Sequence, residues 1–222
     1  MKFDYYILNS YVRELDGEGP ELYAKWIEQV ELAEELGYSC AWITEHHFDD
    51  YGGMLPSPQL LIASLAQRTS HIRLGTSVSL LPMHQPVRIA EDMAVLDVLT
   101  NGRIEVGVGS GMAQTRYGVF GIDPADVRAR LEEGVDVLVR AWTHEQFLWD
   151  GRFVHCPTPV TVRPRPVHPP LSWPRCACLP KKWRPSSPPR RSRLSRCSRS
   201  RTCRARPALS APDAGSSDPP AD

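Results

Sequence analysis

Long apolar runs are missing from this sequence. No stretch of about 18 apolar residues occurs in its 222 positions, which argues against a membrane-spanning helix. The opening MKFDYYILNSYVREL has neither the basic start nor the small-residue cleavage site of a secretory signal, so a cytoplasmic location is expected. Net charge is absent as well, but the zero hides a division. Residues 171–222 carry twelve Lys and Arg against three Asp, a net charge of +9, and residues 1–170 carry −9. Cysteine is scarce in the acidic body, which holds only Cys40 and Cys156. Two isolated thiols exclude a disulfide framework there and read as buried side chains. Convergent metal ligands are lacking too. The adjacent His46 and His47 point apart, and Cys176, Cys178, Cys197 and Cys203 lack the two-to-four-residue spacing of zinc pairs, so no metal is expected.

What is present is enough apolar material for a core, 41% of the residues, set out in a repeating pattern. FDYYIL is a short aromatic and β-branched run that reads as a strand. Leu22, Trp26, Val30, Ala33 and Leu36 then recur at three- and four-residue steps, which predicts a helix over 21–36 stopped by Gly37. The unit repeats: SCAWIT and a helix from Pro58, IRLGTSVSLL and a helix from Pro86, IEVGVGSG and a helix after Asp123, a suitable N-cap. Near-continuous apolar strands alternating with helices predict a parallel sheet, because each parallel strand needs a crossover before the next. FLWDGRFVHC then reads as a hairpin with Asp150 and Gly151 at its turn.

A fifth strand should come next, and the composition opposes one. Residues 171–222 contain nine prolines, ten serines and ten arginines, and no strand or helix period survives that density of breakers and charge. The expected organisation is therefore a partial βα barrel over 1–170 and an Arg/Ser/Pro-rich disordered tail over 171–222. The abrupt change suits out-of-frame reading of a GC-rich gene. Back-translating Ser172 to Arg175 and moving to the next frame gives Val-Ala-Ala, an apolar strand fragment. A truncated, frameshifted product outweighs the alternative, a non-catalytic partial barrel whose basic tail binds nucleic acid, because an open parallel edge is an aggregation liability.

The chemistry concentrates in AWITEHHFDD, where a buried strand breaks at once into Glu45, His46, His47 and Phe48. Loops after the carboxyl ends of parallel strands are where ligands bind in such folds. GVGSG at 107–111 has Met112 where a dinucleotide fingerprint needs glycine, and reads better as a strand end where backbone at Gly109 passes close to a flat ligand.

EHHF, then LGTSVSLLPMHQPVRIAEDMAVLDVLTNGRIEVGVGSG, then YGVFGIDP, in this order and spacing, resemble the bacterial luciferase-like flavin-dependent monooxygenases over residues 1 to about 170. The resemblance implies an α/β fold of the (β/α)8 TIM-barrel type, represented here by four βα units and a hairpin. It implies reduced FMN as cofactor with dioxygen as co-substrate, oxidation of a small organic substrate, a flavin reductase as partner and a possible homodimer through early helices. Some relatives use a deazaflavin, so a deazaflavin-dependent oxidoreductase is the alternative on the same fold. By the same resemblance His46 is the catalytic histidine, suited to proton transfer, with Glu45 and His47 supporting it. Ser77 and Val78 match a non-proline cis peptide against the flavin, Met112 flanks the ring, and Arg128 matches a phosphate contact. Ser110 stands where the luciferase itself has a second phosphate arginine.

Overall fold

Strand and helix alternate along the chain as the pattern predicts. A computed structural model describes residues 1–8, 11–48, 53–111, 114–167 and 175–176. The strands β1 (Asp4–Ile7), β2 (Cys40–Ile43), β3 (Arg73–Leu80) and β4 (Ile104–Gly109) pair side by side in chain order, all parallel. Between them run α1 (Arg13–Asp16), α2 (Gly19–Glu35), α3 (Pro58–Ala66) and α4 (Pro86–Leu99), and α5 (Val127–Thr143) comes after β4. The chain divides into two units, Met1–Pro189 and Arg190–Asp222, and the second lies outside the described residues. So does most of the predicted tail. Among the described residues, no helix is long and apolar enough to cross a membrane.

Each helix is laid down by an apolar stripe and a suitable start. In α2, Pro20 occupies the first turn and Leu22, Trp26, Val30 and Ala33 are buried, the larger side chains such as Leu22 and Val30 each contributing about 1.5–3 kcal/mol. Gly37, at φ +78°, reverses the chain, and Tyr38 N–H closes onto the Ala33 carbonyl. The Gln85 side chain caps α4 by accepting from Val87 and Arg88 N–H. The fourth predicted helix opens differently from expectation: Asp123 caps a 3-10 turn, Pro124–Asp126, and α5 continues from it.

Two further differences lie beyond α5. The predicted hairpin is present as β5 (Phe147–Asp150) against β6 (His155–Val160), but its turn is wider than Asp150 and Gly151 alone. Glu133 on α5 explains this, because its carboxylate accepts from Arg152, Phe153 and Val154 N–H and from Trp149 Nε1, gathering the turn around one anion. A fifth strand, excluded by composition, exists as a two-residue stub: β7 (Arg175–Cys176) pairs parallel with β4 at Gly107 and Val108. Backbone pairing at a free strand edge needs only N–H and C=O groups, so breaker-rich sequence does not forbid it.

Register sorts the strand residues onto two faces. Tyr6, Trp42, Gly75 and Glu105 form one row across the sheet, and Ile7, Ile43, Thr76 and Val106 form the next, facing the helices. The first face is polar, with Asp4 accepting from the Trp42 indole at 3.1 Å and Arg73 paired to Glu105 at 2.8 Å. Gly75 is required there because a Cβ would lie 2.6 Å from two Trp42 ring carbons. Gly75→Ala is expected to lower stability by about 1–3 kcal/mol through overpacking. Urea unfolding measures this, and an unchanged midpoint would show that Trp42 swings aside freely.

Candidate functional site

Register also assembles the site. β2 ends at Ile43 opposite Thr76, while β3 runs four residues further, so the chain leaving β2 passes beside the end of β3. Thr76 holds that end to β4, its hydroxyl donating to the Gly107 carbonyl and accepting from Gly107 N–H. Between Thr76 and Ser79 the ladder slips by one residue, and the Ser77-Val78 peptide within this bulge is cis.

The centre of the site is the Glu45 carboxylate, buried at 3% exposure. Its Oε1 is 2.7 Å from His84 Nε2 and 3.2 Å from His47 Nε2. Its Oε2 accepts from the Ser79 hydroxyl at 3.0 Å and Leu80 N–H at 3.1 Å. Burial pushes this carboxyl up, but hydrogen bonds from His47, His84 and Leu80 together with the His84 charge outweigh it, pulling the value from an ordinary 4.5 to about 2. A charge this deep persists because both oxygens are met by donors. At His84 burial favours the neutral ring, yet the bond to Glu45 and its charge prevail and hold the imidazole above its ordinary value.

His46 behaves in the opposite way. Burial first, then the Arg116 and His47 charges, lower it below the ordinary imidazole value against the pull of Glu45. It is half-buried, and its backbone N–H donates to the Leu55 carbonyl at 3.2 Å, which fixes the segment that carries it. The lowered proton affinity keeps the ring neutral near pH 7, the form that can take up a proton in a transfer step, though as a weaker base than a free imidazole. His47 turns inward to Glu45 instead and packs its ring 5.2 Å from Phe120.

The residues expected to face a flavin fall into three groups. Val78 lies against Gly109, where a Cβ would meet Val78 Cγ2 at 2.8 Å, and the adjoining Gly111 similarly admits Leu80. The space over Gly109 and Gly111 is thus taken up by the Val78 and Leu80 side chains, and the missing Cβ atoms let the end of β3 pack closely against the end of β4. The Ser77 carbonyl accepts from the Tyr6 hydroxyl at 3.1 Å. Arg128 is exposed in the first turn of α5 and donates to Glu132 one turn on, so it is not part of the group bonded to Glu45. Met112 lies outside the described residues.

His84 and Ser79 join the site without any marking in the sequence pattern, although both sit at the end of β3. The rule that marks the histidines after β2, that ligands gather after parallel strands, applies equally to PMHQP after β3. Among the described residues no group of His, Cys, Asp and Glu side chains is arranged to hold a metal ion.

A family model described as luciferase-like monooxygenase matches residues 1–180. The chain belongs to that family. Within it, this luciferase-like chain is 42% identical over 132 residues to 4-hydroxyprotoasukamycin monooxygenase of Streptomyces nodosus subsp. asukaensis, covering 59% of this chain and 35% of the relative. It is 32% identical over 152 residues to the flavin-dependent trigonelline monooxygenase, oxygenase component, of Acinetobacter baylyi, covering 68% and 41%. Among solved structures, the monooxygenase RslO1 from Streptomyces bottropensis superposes with a TM-score of 0.73 at 32% identity, covering 77% of this chain and 51% of that one. The chain thus spans about half or less of the length of these relatives. Its parallel βα sheet is of the luciferase-like, TIM-barrel type, and the family match runs past the expected limit near 170 to include β7.

The two shifted groups at Glu45 set opposite limits on stability. Glu45 is lowered, so its contribution is complete above 4.5 and is lost as pH falls toward about 2. His84 is raised, so its contribution is complete below 6.5 and is lost as pH rises through its raised value. Glu45→Gln is expected to cost on the order of 3 kcal/mol near pH 6 and to flatten both limbs. Urea midpoints from pH 3 to 9 test this, and curves parallel to those of the unsubstituted chain would show that Glu45 carries no such weight.

Proposed function

We propose that this chain carries the cofactor face and the proton-transfer residue of a reduced-flavin-dependent monooxygenase acting on a small organic molecule. The observation that carries the reading is the position of His46, half-buried on the loop after β2 that Glu45 ties to Ser79 and Leu80 at the end of β3, where Val78 packs against Gly109 of β4. The residues fit the group. Val78, Gly109, Ser110 and Met112 would line the ring of FMN, and Arg128 would meet its phosphate. Bound reduced FMN supplies the electrons that activate dioxygen.

The remaining chemistry belongs to the chain. His46 holds or delivers the proton at its imidazole as oxygen is transferred. Glu45 stays ionised, fixes His47 and His84, and so holds the loop that carries His46 against the end of β3. The name of the Acinetobacter relative, an oxygenase component that is flavin-dependent, supports a separate reductase as the source of reduced flavin.

One feature weakens the phosphate end. Ser110 supplies no charge, and Arg128 is already engaged with Glu132. Anaerobic titration of this chain with reduced FMN is therefore expected to saturate, with a Kd weaker than about 10 µM. Tighter binding would overturn the weak-phosphate reading. Absence of saturation with either reduced FMN or reduced deazaflavin would remove the cofactor face, and a clear preference for deazaflavin would move the assignment to a hydride-transferring oxidoreductase of the same fold.

A further inference from the structure

His84 also borders a cleft that lies apart from the proposed flavin face. The cleft encloses about 250 Å³. Leu81 and His84 bound it after β3, Phe120 and Ile122 after β4, Arg130 on α5, and Phe153 in the hairpin turn. His46, Ser77, Val78, Gly109 and Ser110 do not line it.

Arg130 is the unusual member. Its guanidinium carbon stands 4.6 Å from the centre of the Phe153 ring, and among the described residues its buried Nε has no hydrogen-bond partner. Arg152 lies over the same ring at 4.7 Å, but that guanidinium is countered by Asp126 at 2.7 Å. Among the described residues no carboxylate pairs with Arg130. Two like charges around one ring repel, and only one of them has its counter-charge. His84 adds a second polar group, since Nε2 is committed to Glu45 while the ring borders the cleft.

We propose that this cleft binds a small organic carboxylate, with its anionic end on Arg130 and His84 and its apolar body against Phe120, Ile122 and Phe153. A planar guanidinium matches a carboxylate with two parallel hydrogen bonds, which the buried Nε is placed to complete. The volume sits just below the usual range of small-molecule pockets, about 300–1,000 Å³, so the ligand is small. The lining is more polar than apolar, but Phe120, Ile122 and Phe153 border it and offer a ring or short chain contacts that a bare inorganic anion cannot use. Through His84 the occupant would touch the same hydrogen-bonded group that holds the His46 loop, which places the cleft beside the proposed oxidation site without making it part of the flavin face.

The test is calorimetric titration of the full chain, without flavin, using benzoate and its neutral counterpart benzamide. Benzoate is expected to bind about tenfold more tightly than benzamide, Arg130→Gln to abolish that preference, and Arg68→Gln, which removes an exposed arginine paired with Glu31, to leave it unchanged. Equal affinity for the two ligands, or a full preference retained in Arg130→Gln, overturns the proposal. So does inorganic phosphate competing as strongly as benzoate, because it would mean an anion site with no apolar selection. Should Arg130→Gln fail to fold, judged by circular dichroism, the comparison on the unsubstituted chain still decides. Because no flavin is present, failure here is separate from failure of the FMN titration.

Discussion

A single buried carboxylate ties the end of one strand to the end of the next. Glu45 leaves β2, turns into the protein and receives the Ser79 hydroxyl and Leu80 N–H of β3 together with two imidazoles. Were it absent, a backbone amide, a hydroxyl and two rings would each lose an acceptor at a buried position, where an unmade hydrogen bond costs most. The geometry of the loop that carries His46 depends on this anchor. So does the contrast between the two adjacent histidines: one is spent on holding Glu45, and the other remains neutral and partly open.

The same device recurs where chain segments must turn tightly. Glu34 of α2 accepts from Ser70 and Ile72 N–H ahead of β3, and Glu133 of α5 accepts three backbone amides and an indole in the hairpin turn. At Glu34 burial opposes the charge, but the amide bonds prevail and lower the carboxyl below its ordinary value. Acidic side chains on helices thus serve as acceptors for loop amides that neither sheet nor helix pairs. This gives part of the acidic excess of residues 1–170 a structural use beyond solubility.

Sequence and structure part company chiefly at the ends of strands. β-branched runs and three- and four-residue apolar steps mark four βα units and place their boundaries within a few residues. Local chemistry also suffices for His46, His47 and Glu45, since a cluster of ionisable residues directly after an apolar strand is visible in one line of text. His84 escapes such a reading because its partner is 39 positions away, and only the parallel register of β2 and β3 brings the two together. The wide hairpin turn escapes it for the same reason, its organiser Glu133 lying on a helix that ends before the hairpin begins.

By itself the sequence determined the alternation of strand and helix, the parallel sheet it implies, and the residue types available after each strand. These depend on periodicity and propensity, which act over a few residues. Tertiary structure alone decided which groups meet: the ionisation of Glu45, the pairing of β7 with β4, and the cleft in which Arg130 has no carboxylate partner among the described residues. Each depends on contacts between residues far apart in the chain, whose energies are set by burial and distance rather than by neighbours in sequence.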